Sequence, residues 1–395
     1  MATSQHVPTS SGQQTSHGPK HEPPMQFLDL KAQFDSIKEE LLRAVEAVFT
    51  SQHFILGKEV QSLEEEIARY IGAPAAVGCA SGTDALYLSL LALHIGPGDE
   101  VITTPFTFVA TAGSIARTGA KPVFVDIDPR TYNIDPMKIE AAITDRTRAI
   151  MPVHLFGMAA ELDEITAIAK RHKLAVIEDA AQAIGATYRG KRVGNFGQCG
   201  CFSFFPSKNL GGAGDGGIVT TDDPKIADEL RLLRAHGSRK KYQYEILGTN
   251  SRLDALQAAV LKVKLPHLDN WSRLRNEHAR LYRELLDKEK LGKTVGLPFV
   301  PDGRGHVYNQ FVIRVAERDR LRSFLHAEGI ATDVYYPSPL HVQPAFAYLG
   351  YSLGSFPEAE KASTQVLALP VYPELPASDQ ERIVHAIARF YTAKQ

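Results

Sequence analysis

Apolar residues recur at helical spacing over 32–49, where Phe34, Ile37, Leu41, Leu42, Val45 and Val48 share one face, and again over 58–71. From residue 75 onward, short apolar runs alternate with helical stretches. The pattern predicts strands at 75–77, 101–103, 122–125, 149–153 and 175–177, with helices at 83–93, 109–117, 135–142 and 162–172 between them. Such alternation argues for a mainly parallel sheet with helices on both faces, and for ligands beyond the carboxyl ends of its strands. A strand at 217–220, a helix at 223–235, a polar irregular stretch at 239–250 and a helical run at 253–286 interrupted near Pro266 follow. Strands at 312–315 and 332–335 and a helix at 377–391 suggest a smaller α+β unit. The expectation is an α/β chain with a large domain over 25–265 and a small C-terminal domain over 266–395.

Residues 1–24 are rich in Ser, Thr, Gln, His and Pro. They cannot bury enough surface to order themselves and read as a disordered N-terminal tail. That tail has no apolar core of a secretory signal, and no run approaches the ~20 apolar residues of a membrane span. With 44 Lys plus Arg against 45 Asp plus Glu, charge gives no reason to expect nucleic-acid binding. An odd count of three cysteines favours a reducing, cytoplasmic compartment. Cys199-Gly200-Cys201 has no second pair at zinc spacing, so the two cysteines read as small buried strand residues and no metal is expected.

The chemistry concentrates at two places. Ser203-Phe204-Phe205-Pro206-Ser207-Lys208-Asn209-Leu210-Gly211-Gly212 sets a lysine in a partly apolar, glycine-rich turn, a poor surface loop. Glu178-Asp179-Ala180-Ala181-Gln182 sets carboxylates at the end of an apolar run. A lysine amine able to form a Schiff base, and a carboxylate able to keep a pyridinium nitrogen protonated, are what pyridoxal phosphate (PLP) requires. Taken alone, Asp179 could equally be a helix cap after a strand. Gly82 and Thr83 open a helix, whose amides and dipole can hold a phosphate. The run Gly211 to Gly217 lacks the GxxxxGK[ST] pattern, so it is no P-loop. Its glycines instead allow a tight turn after Lys208.

These segments stand in order with Phe54-Ile55-Leu56-Gly57, Ser81-Gly82-Thr83-Asp84-Ala85-Leu86, Pro105-Phe106-Thr107-Phe108-Val109-Ala110-Thr111, Asn250-Ser251-Arg252-Leu253 and Tyr336-Pro337-Ser338-Pro339-Leu340-His341. From about Phe27 to the C-terminus the chain resembles the sugar aminotransferases of the DegT/StrS type, within the fold type I PLP enzymes. The resemblance implies that Lys208 carries the cofactor and shuttles the proton, and that Asp179 meets the pyridinium nitrogen. It implies that Gln182 meets the ring hydroxyl, with Glu178 turned away, and that Phe108 stacks on the ring, with Phe106 a rival. Gly82, Thr83 and Ser203 would bind the phosphate together with Asn250 of a neighbouring subunit, making a homodimer with shared sites. Arg252, Tyr336, His341 and Gln343 are substrate candidates. Tyr244 and Asn309 stand where many relatives carry histidine, which leaves the sugar open.

The implied reaction moves an amino group from an amino acid, L-glutamate by family habit, leaving 2-oxoglutarate. The acceptor is a keto sugar linked to a nucleotide diphosphate. The form Phe204-Phe205-Pro206-Ser207-Lys208-Asn209-Leu210-Gly211 resembles members that aminate C3 more than those that aminate C4. Two alternatives stand beside this. A dehydratase relative would carry histidine in place of Lys208. A non-catalytic regulator would lack Asp179 or Lys208, or add a DNA-binding helix pair.

Overall fold

The computed structural model describes residues 25–392. The tail expected over 1–24 lies outside them. Seven strands form the central sheet: β1 (Ala75–Cys79), β2 (Glu100–Thr103), β3 (Lys121–Phe124), β4 (Thr147–Ile150), β5 (Ala175–Asp179), β6 (Cys199–Ser203) and β7 (Gly217–Thr221). Their order is β1-β7-β6-β5-β4-β2-β3. Only β7 runs antiparallel to its neighbours. The sheet is therefore mixed but mainly parallel, as expected.

Helices cover both faces because the strands are apolar on both sides. In β6, Phe202 joins the core under α2 (Lys58–Ile71) and α7 (Ala255–Lys264), whereas Cys199 and Cys201 join the opposite core under α3 (Gly82–Ala92) and α6 (Pro224–Leu233). All three cysteines are free and buried, and burial pushes the Cys199 thiol up to about 12. The helix predicted at 109–117 forms as α4 (Val109–Arg117), and that at 162–172 as α5 (Leu162–His172). The helix start predicted at 223 falls one residue later. Asp223 is the cap there, its carboxylate accepting the Lys225 N–H at 2.7 Å.

Three expectations shift. The helix predicted over 135–142 is two 3₁₀ turns, Pro136–Lys138 and Glu140–Ala142; Asp135 caps the first, and the stretch is too short to propagate. The strand predicted over 332–335 is a single antiparallel bridge between Asp333 and Ala368. Val366–Leu369 pairs along its other edge with Phe311–Arg314. The strand predicted over 149–153 ends at Ile150, and Val153 keeps only a bridge to Asp179.

The break near Pro266 is a 3₁₀ turn, Leu265–His267, between α7 and α8 (Leu268–Lys288). We propose the division 25–265 and 266–395 as the domain boundary. Tyr282 and Leu286 of α8 belong to the C-terminal core, while Trp271 packs back on Ile37, Leu41 and Val260. That C-terminal core also takes in Phe106, Phe124 and Phe156, so the two parts meet across the end of the sheet where the chemistry lies.

Candidate active site

Lys208 follows β6 in a turn closed by the Lys208 N–H on the Phe205 carbonyl (2.8 Å) and the Gly212 N–H on the Phe204 carbonyl (2.7 Å). Glycine is required just beyond it: a Cβ on Gly211 would lie 2.2 Å from the Pro206 carbonyl oxygen. The turn sinks the amine between strand ends. Burial lowers its pKa to about 8, and the charge of Asp179 pulls partly the other way.

Asp179 ends β5, beside β6, and is 5% exposed. Its Oδ2 accepts from the Thr111 hydroxyl at 2.7 Å, and its Oδ1 from the Ala181 N–H at 3.2 Å. Burial pushes the carboxyl above its usual value, against the pull of Thr111, Ala181 and Lys208. Among the described residues this buried carboxylate has no ion-pair partner, which fits a site completed by a cation. The preceding Glu178 points to the other face, as expected. It accepts from His154 Nε2 (2.9 Å) and from the N–H groups of Gly194, Phe196 and Gly197. Burial opposes its charge, but these donors hold its pKa below the ordinary range. His154 Nδ1 accepts the Ala160 N–H, which puts the ring proton on Nε2, facing Glu178.

Gln182 accepts the Phe156 N–H on Oε1 (2.7 Å) and donates from Nε2 to the Tyr336 hydroxyl (3.0 Å). One amide hydrogen of Gln182 remains for a ligand. Tyr336 arrives from the C-terminal part because the Leu340 N–H docks on the Pro105 carbonyl at 2.8 Å. Burial raises its hydroxyl well above the usual tyrosine range. Phe106 and Phe108 differ in exposure. Phe106 is fully buried, edge-on to Tyr336 at 6.1 Å; Phe108, 6.5 Å from Tyr336, is 56% exposed and free to stack on a ligand ring.

At the other end stands the start of α3. Ser81 caps it by accepting the Asp84 N–H, which leaves the amides of Gly82 and Thr83 at the first turn without helical partners. Ser203 abuts them: a Cβ on Gly82 would lie 2.6 Å from Ser203 Cβ. Lys208, Asp179, Gln182, Gly82, Thr83 and Ser203 thus gather along adjacent strand ends, with Phe108 and Tyr336 from flanking loops.

Four predicted residues are not drawn into this group. Asn250 is exposed, and Arg252 is half-buried two residues on. His341 is 1% exposed, its Nε2 bonded to Glu360 Oε1 at 2.9 Å and its ring edge-on to Phe356. Gln343 is half-buried and its backbone closes the turn to Phe346. Of the two departures, Tyr244 is exposed, while Asn309 is buried and donates to Asn209 Oδ1, beside Lys208. Thr111 was missed as a site residue although it closes the Pro105–Thr111 motif; its spacing of four from Thr107, whose hydroxyl it meets at 2.9 Å, was the available signal.

Residues 35–388 match the DegT/DnrJ/EryC1/StrS aminotransferase family. The chain belongs to this family. It is 55% identical over 92% of its length to 98% of the "Pleiotropic regulatory protein" of Geobacillus stearothermophilus. It is 49% identical, over 92% of its length and 97% of the relative's, to the UDP-N-acetyl-3-dehydro-alpha-D-glucosamine 3-aminotransferase of Acidithiobacillus ferrooxidans. Among solved structures, S. venezuelae DesV superposes with a TM-score of 0.91 at 44% identity, covering 93% of this chain and 99% of DesV. The ntda protein of Bacillus subtilis, solved with bound cofactor PMP, superposes at 0.86 and 34% identity, covering 95% and 87%. The fold is that of the PLP aminotransferases, and this chain is one of these enzymes, with PLP as cofactor. Among the described residues, no cluster of metal-ligating side chains occurs and no helix is long and apolar enough to cross a membrane.

Proposed function

We propose that this enzyme moves an amino group from L-glutamate to C3 of a keto sugar carried on a nucleoside diphosphate, working as a cytoplasmic homodimer with shared active sites. The observation that carries the reading is a lysine amine whose pKa is brought to about 8 and a buried carboxylate, at the ends of neighbouring strands. PLP, when bound, supplies an electron sink for the carbon that loses its proton. The chain's residues do the rest. Asp179 holds a proton on the ring nitrogen. Gln182 offers its spare amide hydrogen to the ring hydroxyl. The amides of Gly82 and Thr83 with the Ser203 hydroxyl hold the phosphate. Phe108 covers the ring. Lys208 Nζ, half-protonated near pH 8, accepts the proton from the donor's α-carbon and returns it.

Several relatives at 44–49% identity bear names of 3-amino-sugar transaminases, which supports C3 over C4. The relative named a regulator does not shift the reading, because Lys208 and Asp179 are both present and set for chemistry. Arg252 and Tyr336 remain the proposed substrate contacts; His341, expected among them, is buried and instead fixes the loop after Tyr336 through Glu360. The exposure of Asn250 accords with a reach into a second subunit.

The test is a panel of UDP- and dTDP-linked 3-keto and 4-keto sugars with L-glutamate, products read by mass and NMR. Amination of 3-keto sugars is expected; amination of 4-keto sugars alone would overturn the assignment. For the shared site, inactive Lys208→Ala and inactive Asn250→Ala subunits are mixed. Recovered activity is expected, and none would count against it.

A further inference from the structure

One buried ion pair lies outside the chemistry so far. Glu64 on α2 and Arg234, just after α6, are 8% and 7% exposed and bond to each other. Both reach β1, an edge strand of the sheet. At Gly78 the backbone N–H donates to Glu64 Oε1 at 2.8 Å, and the carbonyl accepts from Arg234 Nη1 at 2.7 Å. The pair supplies the acceptor and donor that a further strand would have supplied. Three residues later the chain enters Ser81-Gly82-Thr83.

Arg234 also holds the other wall of that corner. Its carbonyl accepts the Ser251 N–H at 3.0 Å, and the Leu233 carbonyl accepts the Thr249 N–H at 2.8 Å. The Ser251 hydroxyl in turn accepts the Ala80 N–H (3.2 Å) and donates to Asp84 Oδ2 (2.8 Å). The strand end before α3 and the segment 249–252 are therefore tied to one side chain and its backbone.

We propose that Glu64 and Arg234 are positioning residues that set the first-turn amides of α3 and thereby the hold on the cofactor phosphate. The inference rests on the reading of Gly82, Thr83 and Ser203 as the phosphate site. Apolar residues of similar volume often replace a buried ion pair without loss, but here the pair also satisfies buried backbone groups. Apolar replacements would leave Gly78 without either bond.

The experiment uses the full-length protein stripped of cofactor. Wild type, the double variant Glu64→Met with Arg234→Met, and Arg234→Lys are titrated with PLP, and the unfolding temperature is read before PLP is added. Both bonds leave from Arg234 Nη1; lysine keeps the charge, but its ammonium ends one bond short of that nitrogen and cannot meet Glu64 and Gly78 where Nη1 does. Both variants are expected to bind PLP ~10-fold or more weakly, beyond any change in unfolding temperature, with kcat at saturating PLP near wild type. Unchanged PLP affinity in a folded variant, or a loss that only tracks unfolding, overturns the proposal. Should the double variant not fold, Arg234→Lys decides alone. Ser203→Ala separates the two levels. If it leaves PLP affinity intact, the phosphate reading fails; if it weakens PLP and the clamp variants do not, the clamp alone fails.

Discussion

Thr111→Val removes the hydroxyl that bonds Asp179 while keeping the shape of the side chain. The Thr111 hydroxyl donates to Asp179 Oδ2 at 2.7 Å, and it is the strongest influence holding down a carboxyl that burial pushes up. A hydrogen bond to a charged group contributes ~1.5–3 kcal/mol. Its loss raises the carboxyl pKa further, since burial is then less opposed. A carboxyl that holds its proton more tightly folded than unfolded favours the fold at low pH and burdens it as pH rises through the folded value. The cofactor-free variant should therefore unfold at a lower temperature than wild type near neutral pH, with the gap closing below pH ~4, where the unfolded carboxyl is protonated as well. PLP titrations across a pH series give the second readout. The acid limb of the affinity profile should move to higher pH, because a protonated Asp179 cannot keep a proton on the ring nitrogen. A variant that folds, with an acid limb unmoved from wild type, would refute the reasoning.

Gly82→Ala should weaken PLP and lower stability by ~1–3 kcal/mol, because the new Cβ meets Ser203 Cβ at 2.6 Å; PLP titration and thermal melting check both. Phe106→Ala should lower stability by ~3–5 kcal/mol, as a fully buried ring leaves a cavity, whereas Phe108→Ala should leave melting nearly unchanged and weaken the cofactor. The rate of PLP capture by the cofactor-free protein should rise with pH through about 8, as Lys208 loses its proton; a stopped-flow series locates the midpoint, and one near 10 would mean that burial does not tune this amine.

Where the apolar pattern is long and regular, the sequence already carries the structure. The bounds of Lys58–Ile71, Val109–Arg117 and Leu162–His172 follow from periodicity, and the parallel strands follow from their apolar runs. Short segments whose pairing depends on distant chain were misread. Asp333 makes a single bridge to Ala368 rather than a strand, a pairing of residues 35 apart in sequence that local pattern cannot show. At the site, Lys208, Asp179 and the first turn of α3 stand out in the sequence because a turn, a strand end and a helix cap are local features, whereas Gln182 came only from the family resemblance. The choice between Phe106 and Phe108 was not legible, since only packing against Tyr336 decides which ring stays exposed. Nor was the burial of His341 against Glu360, or the tie from Arg234 to Gly78, which joins residues 156 apart in sequence.

The most direct test of the central claim, that Lys208 holds PLP and passes an amino group from glutamate, is the near-ultraviolet and visible spectrum of the purified protein before and after L-glutamate. A yellow band that fades on adding glutamate, and that Lys208→Ala lacks, is the expected result. No band even after adding PLP, or a band that persists unchanged in Lys208→Ala, would contradict it.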